Sequence, residues 1–301
     1  MQQHLMLQDE VAANQWKSYL LVFFMMMLLA AVGYFFGRLT GLGYLGLPLG
    51  LGLALVSAWA SYYYSDRIVL AMSGARPASK EDYPHLYNAV EGLALAAGRP
   101  VPRLYVIDDS APNAFATGRD PAHGVVCVTT GLLDKMNRLQ LEGVVAHEMS
   151  HIKNLDTRLQ VLVAVLVGTT VLLSDWILRS MFYGRRGRRE RVRGGQGMAI
   201  LLVVGLVLAL LAPLIAQLLR LAISRRREYL ADASAALLTR YPEGLAGALE
   251  KLAADTEPLE AANRATAHLY IVNPLKGESR WQSLFDTHPP IADRVRRLRS
   301  M

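Results

Sequence analysis

The chain has 301 residues, of which 52% are hydrophobic and 19% charged, and it carries a formal net charge of +7. That length accommodates a domain or two with a sizeable core, and the apolar content excludes a disordered, solvated chain. A single cysteine, Cys127, excludes an intramolecular disulfide and fits a reducing compartment such as the cytosol.

The hydrophobic excess falls into blocks. After a polar leader at 1–17 that contains Asp9 and Glu10, Tyr19 to Phe36 is an uncharged run about long enough to span a bilayer, and Leu39 to Tyr64 is a second run interrupted by glycines and Pro48. Only Gly37 and Arg38 separate them, which predicts an antiparallel transmembrane hairpin over 18–64 with both ends on one side. The long acidic leader and the immediate second run argue for an uncleaved anchor rather than a signal peptide. Trp16, Lys17 and Tyr62 to Tyr64 stand where interfacial anchors belong.

Residues 65–158 read as the first part of a domain outside the membrane. Glu81 to Ala97 has the apolar spacing of an amphipathic helix (Leu86, Val90, Leu93) stopped by Gly98, and Arg99 to Pro102 makes a stiff linker. Arg103 to Ile107, Asn113 to Gly118 and Gly124 to Thr130 are rich in strand formers, the last two flanking a turn at 119–123, which predicts a small antiparallel sheet. Asn113 to Thr117 is read either as an exposed edge that accepts an extended peptide by main-chain hydrogen bonds or as a buried strand.

A helix is predicted over Leu139 to Thr157, and it carries His147-Glu148-Met149-Ser150-His151. Positions i and i+4 share a helix face, so the two imidazoles can bind one metal ion with Glu148 beside it. Zinc suits neutral imidazole, and an open coordination position acidifies a bound water to about pKa 7. So short a pattern also arises by chance, but a titratable pair in an apolar stretch (Leu141, Val144, Val145, Ile152) has to be compensated if it is buried. A metzincin would need Gly at 154 and His at 157, where this chain has Asn154 and Thr157. The third ligand must therefore come from elsewhere.

Residues 159–222 hold two more apolar blocks, Leu159 to Ile177 and Met198 to Leu219, read either as a second transmembrane hairpin or as long buried helices. Between them, residues 184–195 contain six arginines and five residues of other types besides one glutamate, a glycine-rich basic loop. No aromatic platform accompanies these arginines, so an anionic lipid surface explains them better than nucleic acid. Cations near the membrane lie on both sides of the predicted hairpins, and the positive-inside rule gives no clean vote.

In the final part, 223–301, Glu228 and Asp232 sit at i and i+4. Alone they would balance Arg225 to Arg227 on a solvated helix; coupled to the two histidines, Glu228 becomes the third metal ligand and Asp232 the acceptor that orients a ligand histidine. Glu243 to Ala254 and Ile291 to Leu298 read as two further helices opened by proline. His85 and His268 read as ordinary histidines.

His147-Glu-Met-Ser-His151 with Asn154 and Asp156, Glu228-x-x-x-Asp232, Asn113-Ala-Phe-Ala116 and Thr287-His-Pro-Pro290, four separated motifs in a match over nearly the whole chain, resemble the HtpX-type membrane zinc metalloproteases, relatives of the CAAX prenyl proteases. The resemblance implies a mainly α membrane protein, with up to four transmembrane helices and a gluzincin-like zinc protease domain containing the small antiparallel sheet. It implies one zinc ion held by His147, His151 and Glu228, with Glu148 as general base and Asp232 as orienting partner. His288 would stabilise the oxyanion, and Arg294 and Asn113 would assist there or bind substrate. It further implies a bacterial-type inner membrane location with the catalytic domain facing the cytoplasm, and polypeptide substrates, damaged membrane proteins above all. A prenyl-protein protease and a non-catalytic zinc-containing scaffold are the alternatives. The first calls for more spans than this chain offers, and the second leaves Glu148 without a purpose.

Overall fold

A computed structural model describes residues 43–161, 225–262, 266–274 and 289–301, together with scattered positions between 12 and 34. The predicted span 198–219, most of the runs 19–36 and 159–177, the arginine-rich loop and His288 lie outside the described residues. Among the described residues no helix is long and apolar enough to cross a membrane.

In chain order the described regular elements are α1 (Gly46–Met72), β1 (Arg76–Pro77), α2 (Pro84–Ala97), β2 (Arg103–Ile107), β3 (Ala114–Thr117), β4 (Val125–Thr129), α3 (Thr130–Lys135), α4 (Arg138–Lys153), α5 (Arg225–Thr239), α6 (Pro242–Ala254) and α7 (Ile291–Arg299). From Pro84 onward the observed bounds follow the predicted helices and strands closely, apart from the unpredicted α3 and the early end of α4. α1 instead runs eight residues past the apolar stretch that ends at Tyr64.

The sheet has the order β1-β2-β4-β3 and is mixed, which corrects the predicted antiparallel arrangement. β3 and β4 pair antiparallel across the short turn at 118–124, but β4 then inserts beside β2, and that pair is parallel. All five residues of β4 are buried, as suits a central strand covered on both faces. Alternation divides the strands between two cores. Val126, Val128, Leu104 and Val106 pack toward the helices, whereas Val125, Cys127 and Ile107 pack with Val69 and Leu70 of α1 and with Leu269 and Tyr270.

α4 is the axis of the helical layer. Its start is fixed by a capping box, in which the Asn137 side chain accepts from the Gln140 N–H at 2.9 Å and the Gln140 side chain accepts from the Asn137 N–H at 3.1 Å. Every residue from Gly143 to Ile152 is buried, because α2, α5, α6 and the sheet surround the helix. Gly143 permits one of the close approaches to α6: a Cβ there would lie 2.6 Å from the Leu245 backbone nitrogen.

α4 ends at Lys153, four residues short of the predicted helix. Leu155 adopts φ +58°, a left-handed conformation that L side chains rarely take, and a new helical segment begins at Asp156. Thr157 donates its hydroxyl to the Gly118 carbonyl at 2.9 Å, tying the segment after the bend to the β3–β4 turn.

Candidate metal centre

α4 and α5 face each other so that three side chains from distant parts of the sequence converge. His147 Nε2 lies 3.1 Å from His151 Nε2, and oxygens of Glu228 lie 3.6 Å from each of these nitrogens. For donors about 2.0–2.1 Å from a tetrahedral ion, the donor–donor separation is roughly 3.3–3.4 Å. The observed triangle has that size, and the three residues form a group able to hold a metal ion.

Charge points the same way. Among the described residues of this site, four buried carboxylates (Glu148, Asp156, Glu228, Asp232) meet two buried guanidinium groups (Arg227, Arg294), leaving an excess of two negative charges. Buried charge without compensation is costly, and a dication supplies the missing balance. The electrostatics of His147 reflect this. Burial pulls its pKa down, but Asp232 and Glu228 outweigh burial and hold it at about 9, so the imidazole attracts a proton where a metal would otherwise satisfy the carboxylates. The residues present therefore fit a divalent ion such as zinc.

Each histidine has a carboxylate behind it. His147 Nδ1 lies 3.0 Å from Asp232 Oδ1, and His151 Nδ1 lies 3.0 Å from Asp156 Oδ2. Asp232 was predicted in this part; Asp156 was not given one, because a carboxylate five residues after a histidine is off the histidine's face in an unbroken helix. The bend at Leu155 is what returns it.

Glu148 is buried beside the histidines, and burial raises its pKa above the ordinary carboxylate value, with a further push from the charge of Glu228. Burial also pushes the Cys127 thiol up, with Glu148 adding to it, so this cysteine is an inert core residue.

Arg294, expected to assist at the oxyanion or to bind substrate, lies against Asp232 and His147. It is wholly buried, donating to Asp232 from Nε at 2.8 Å and from a terminal nitrogen at 2.7 Å, with Glu228 Oε2 3.5 Å away. A guanidinium committed in this way holds the carboxylates behind the histidines in place. Asn113 is likewise committed: its side-chain nitrogen donates to the Val272 carbonyl at 3.0 Å, and its side-chain oxygen accepts from the Ala114 N–H at 3.1 Å. The outer edge of β3 is occupied too. Ile271 donates its N–H to the Ala114 carbonyl at 3.0 Å, and Phe115 bridges to Tyr270, so β3 is a buried strand rather than an exposed edge.

Residues 81–301 match the family described as Peptidase family M48. The chain belongs to peptidase family M48. It is thus a metalloprotease, a hydrolase of peptide bonds. Similar proteins include a "Protease HtpX homolog" of Dictyoglomus thermophilum, 52% identical over 97% of this chain and 94% of the relative. Others of the same name occur in Thermoanaerobacter pseudethanolicus, 49% identical over 96% of each chain, and in Tropheryma whipplei (strain Twist), 43% identical over 98% of this chain and 99% of the relative. The M48 chain also shares its fold with Ste24p of S. mikatae, whose crystal structure aligns with a TM-score of 0.50 at 19% identity, covering 96% of this chain and 66% of that one.

Proposed function

We propose that this M48 chain is a membrane-anchored zinc endopeptidase that degrades damaged or misfolded membrane proteins, in a bacterial inner membrane with its catalytic domain toward the cytoplasm. The convergence of His147, His151 and Glu228 in a buried site with two surplus negative charges carries the reading.

His147 and His151 would hold the ion through Nε2 and Glu228 through its carboxylate. Zinc held there supplies Lewis acidity, lowering the pKa of water to about 7 and polarising the scissile carbonyl. Glu148 takes the proton of the attacking water and passes it to the leaving nitrogen, a shuttle for which its raised affinity for a proton suits it. Asp232 accepts the Nδ1–H of His147 and so leaves Nε2 as the donor to the metal. Arg294 fixes Asp232 in that place.

The membrane part of the reading rests on the uncharged runs at 19–36 and 198–219 and on α1, where Leu47, Leu49, Leu51, Leu55, Val56 and Trp59 are exposed. So continuous an apolar surface needs a cover, and lipid supplies it. A catalytic site whose two ligand-bearing helices are joined by the apolar segment 159–222 acts close to the bilayer surface, where membrane proteins are the nearest substrates.

The test is cleavage of an unfolded protein such as casein by the detergent-solubilised full chain. Activity should vanish with a zinc chelator, return with added zinc, and fall by roughly 10²–10⁴ in Glu148→Gln. Undiminished cleavage by Glu148→Gln or by the metal-free protein would refute the reading.

A further inference from the structure

Asp156 lies outside the H-E-x-x-H and Glu-x-x-x-Asp patterns, yet its carboxylate is divided between two buried partners. One oxygen is 3.0 Å from His151 Nδ1, and the other is 3.6 Å from a terminal nitrogen of Arg227, the residue immediately before Glu228. All three residues are at most 5% exposed. At that depth neither charge is screened, and an ion pair that also orients an imidazole is a specific arrangement rather than a surface accident.

The backbone supplies a second, independent observation. Asp156 reaches His151 only because α4 stops at Lys153 and Leu155 turns the chain through a left-handed conformation. Leucine is a poor residue for that conformation, and such strain persists where the surroundings over-determine it, often at functional sites. After the bend, Thr157 is held by the Gly118 carbonyl and Asp156 by Arg227, so the strained turn is pinned on both flanks.

Position along the chain adds a consequence. Asp156 lies just before the apolar segment 159–222, and Arg227 just after it. One ion pair therefore joins the two ends of that segment, with Asp156 against His151 and Arg227 adjoining Glu228 in the chain.

We propose that Asp156 is a positioning residue that fixes the His151 imidazole for metal binding, and that Arg227 holds Asp156 while tying together the two ends of the apolar segment. The proposal rests on His151 as a metal ligand. Asp156 accepts the Nδ1–H, which leaves Nε2 unprotonated and aimed at His147 Nε2 and Glu228. His147 is served by Asp232 and Arg294, and His151 by Asp156 and Arg227: two carboxylate–guanidinium pairs, one behind each imidazole.

The experiment measures zinc affinity of the solubilised full chain by competition with a chromophoric chelator, with circular dichroism reporting the fold. Asp156→Leu, which keeps the branching at Cγ and removes the acceptor, should bind zinc about 10–100-fold more weakly. Asp156→Asn, whose amide oxygen still accepts a hydrogen bond, should recover most of that loss, whereas a residue needed only for packing would give no such rescue. A folded Asp156→Leu with wild-type affinity, or equal losses in both variants, would overturn the proposal. Nitrogen-15 spectra of the zinc-loaded wild-type chain test it without any substitution: His151 should be protonated at Nδ1, and metal coordination through Nδ1 would overturn it. Failure of the wild-type chain to bind zinc would instead remove the metal-site reading itself.

Discussion

Asp232 serves two partners with opposite demands. Burial alone would raise its pKa, but the charge and hydrogen bonds of Arg294, together with His147, outweigh burial and hold it below the ordinary carboxylate value. It is therefore an anion throughout the neutral range, as an acceptor for an imidazole N–H must be. Arg294→Met should leave that anion buried without its guanidinium and cost about 3–5 kcal/mol of stability, measured by chemical unfolding of the solubilised chain. A loss under 1 kcal/mol would show that the pair contributes little. His147 with His151 and Glu228 with Asp232 were legible in the sequence as four-residue helical spacings, and Glu148 as the acid of H-E-x-x-H. Arg294 was legible only as a residue of the site, since nothing in a spacing says whether a guanidinium faces substrate or a neighbouring carboxylate. The pairing of Asp156 with His151 and Arg227 was illegible for a different reason, namely that it depends on a left-handed turn at a leucine.

Among the elements, the helices were the most legible because capping and periodicity are local. Pro84 with Gly98 brackets α2, and Asn137 with Gln140 opens α4. The strands were found by composition, but their partners were not: local turn chemistry favours β3 beside β4, whereas the parallel β2–β4 pair is made by residues more than twenty positions apart. The edge of β3 is closed by Tyr270 and Ile271, over 150 residues away, which no strand pattern encodes. The packing of α4 on α6 gives a test at this scale. In Gly143→Ala the new methyl would meet the Leu245 backbone, which cannot rotate aside, so the helices must separate. The expected cost is about 1–3 kcal/mol, seen as a lower melting temperature with zinc content unchanged once folded. An unaltered melting temperature would mean that the two helices separate freely.

For the whole molecule, the metal centre lies where α4, α5 and α7 meet, so binding energy at the site becomes stability of the domain. Ligand that binds only the folded state stabilises it by ~2.7 kcal/mol at one hundred times Kd. Stripping zinc with a chelator should accordingly lower the melting temperature by roughly 5–10 °C, and added zinc should restore it. The membrane-facing half was legible in the sequence as long uncharged runs, and α1 with its exposed leucines is the described part of it. The central claim is that two histidines of α4 and one glutamate of α5 form a single zinc site. Elemental analysis of the purified full chain beside Glu228→Gln tests it most directly. About one zinc per wild-type chain is expected, and a substoichiometric content in Glu228→Gln at the same free zinc, since the amide is a far weaker ligand than a carboxylate. Equal zinc in the two proteins would contradict it.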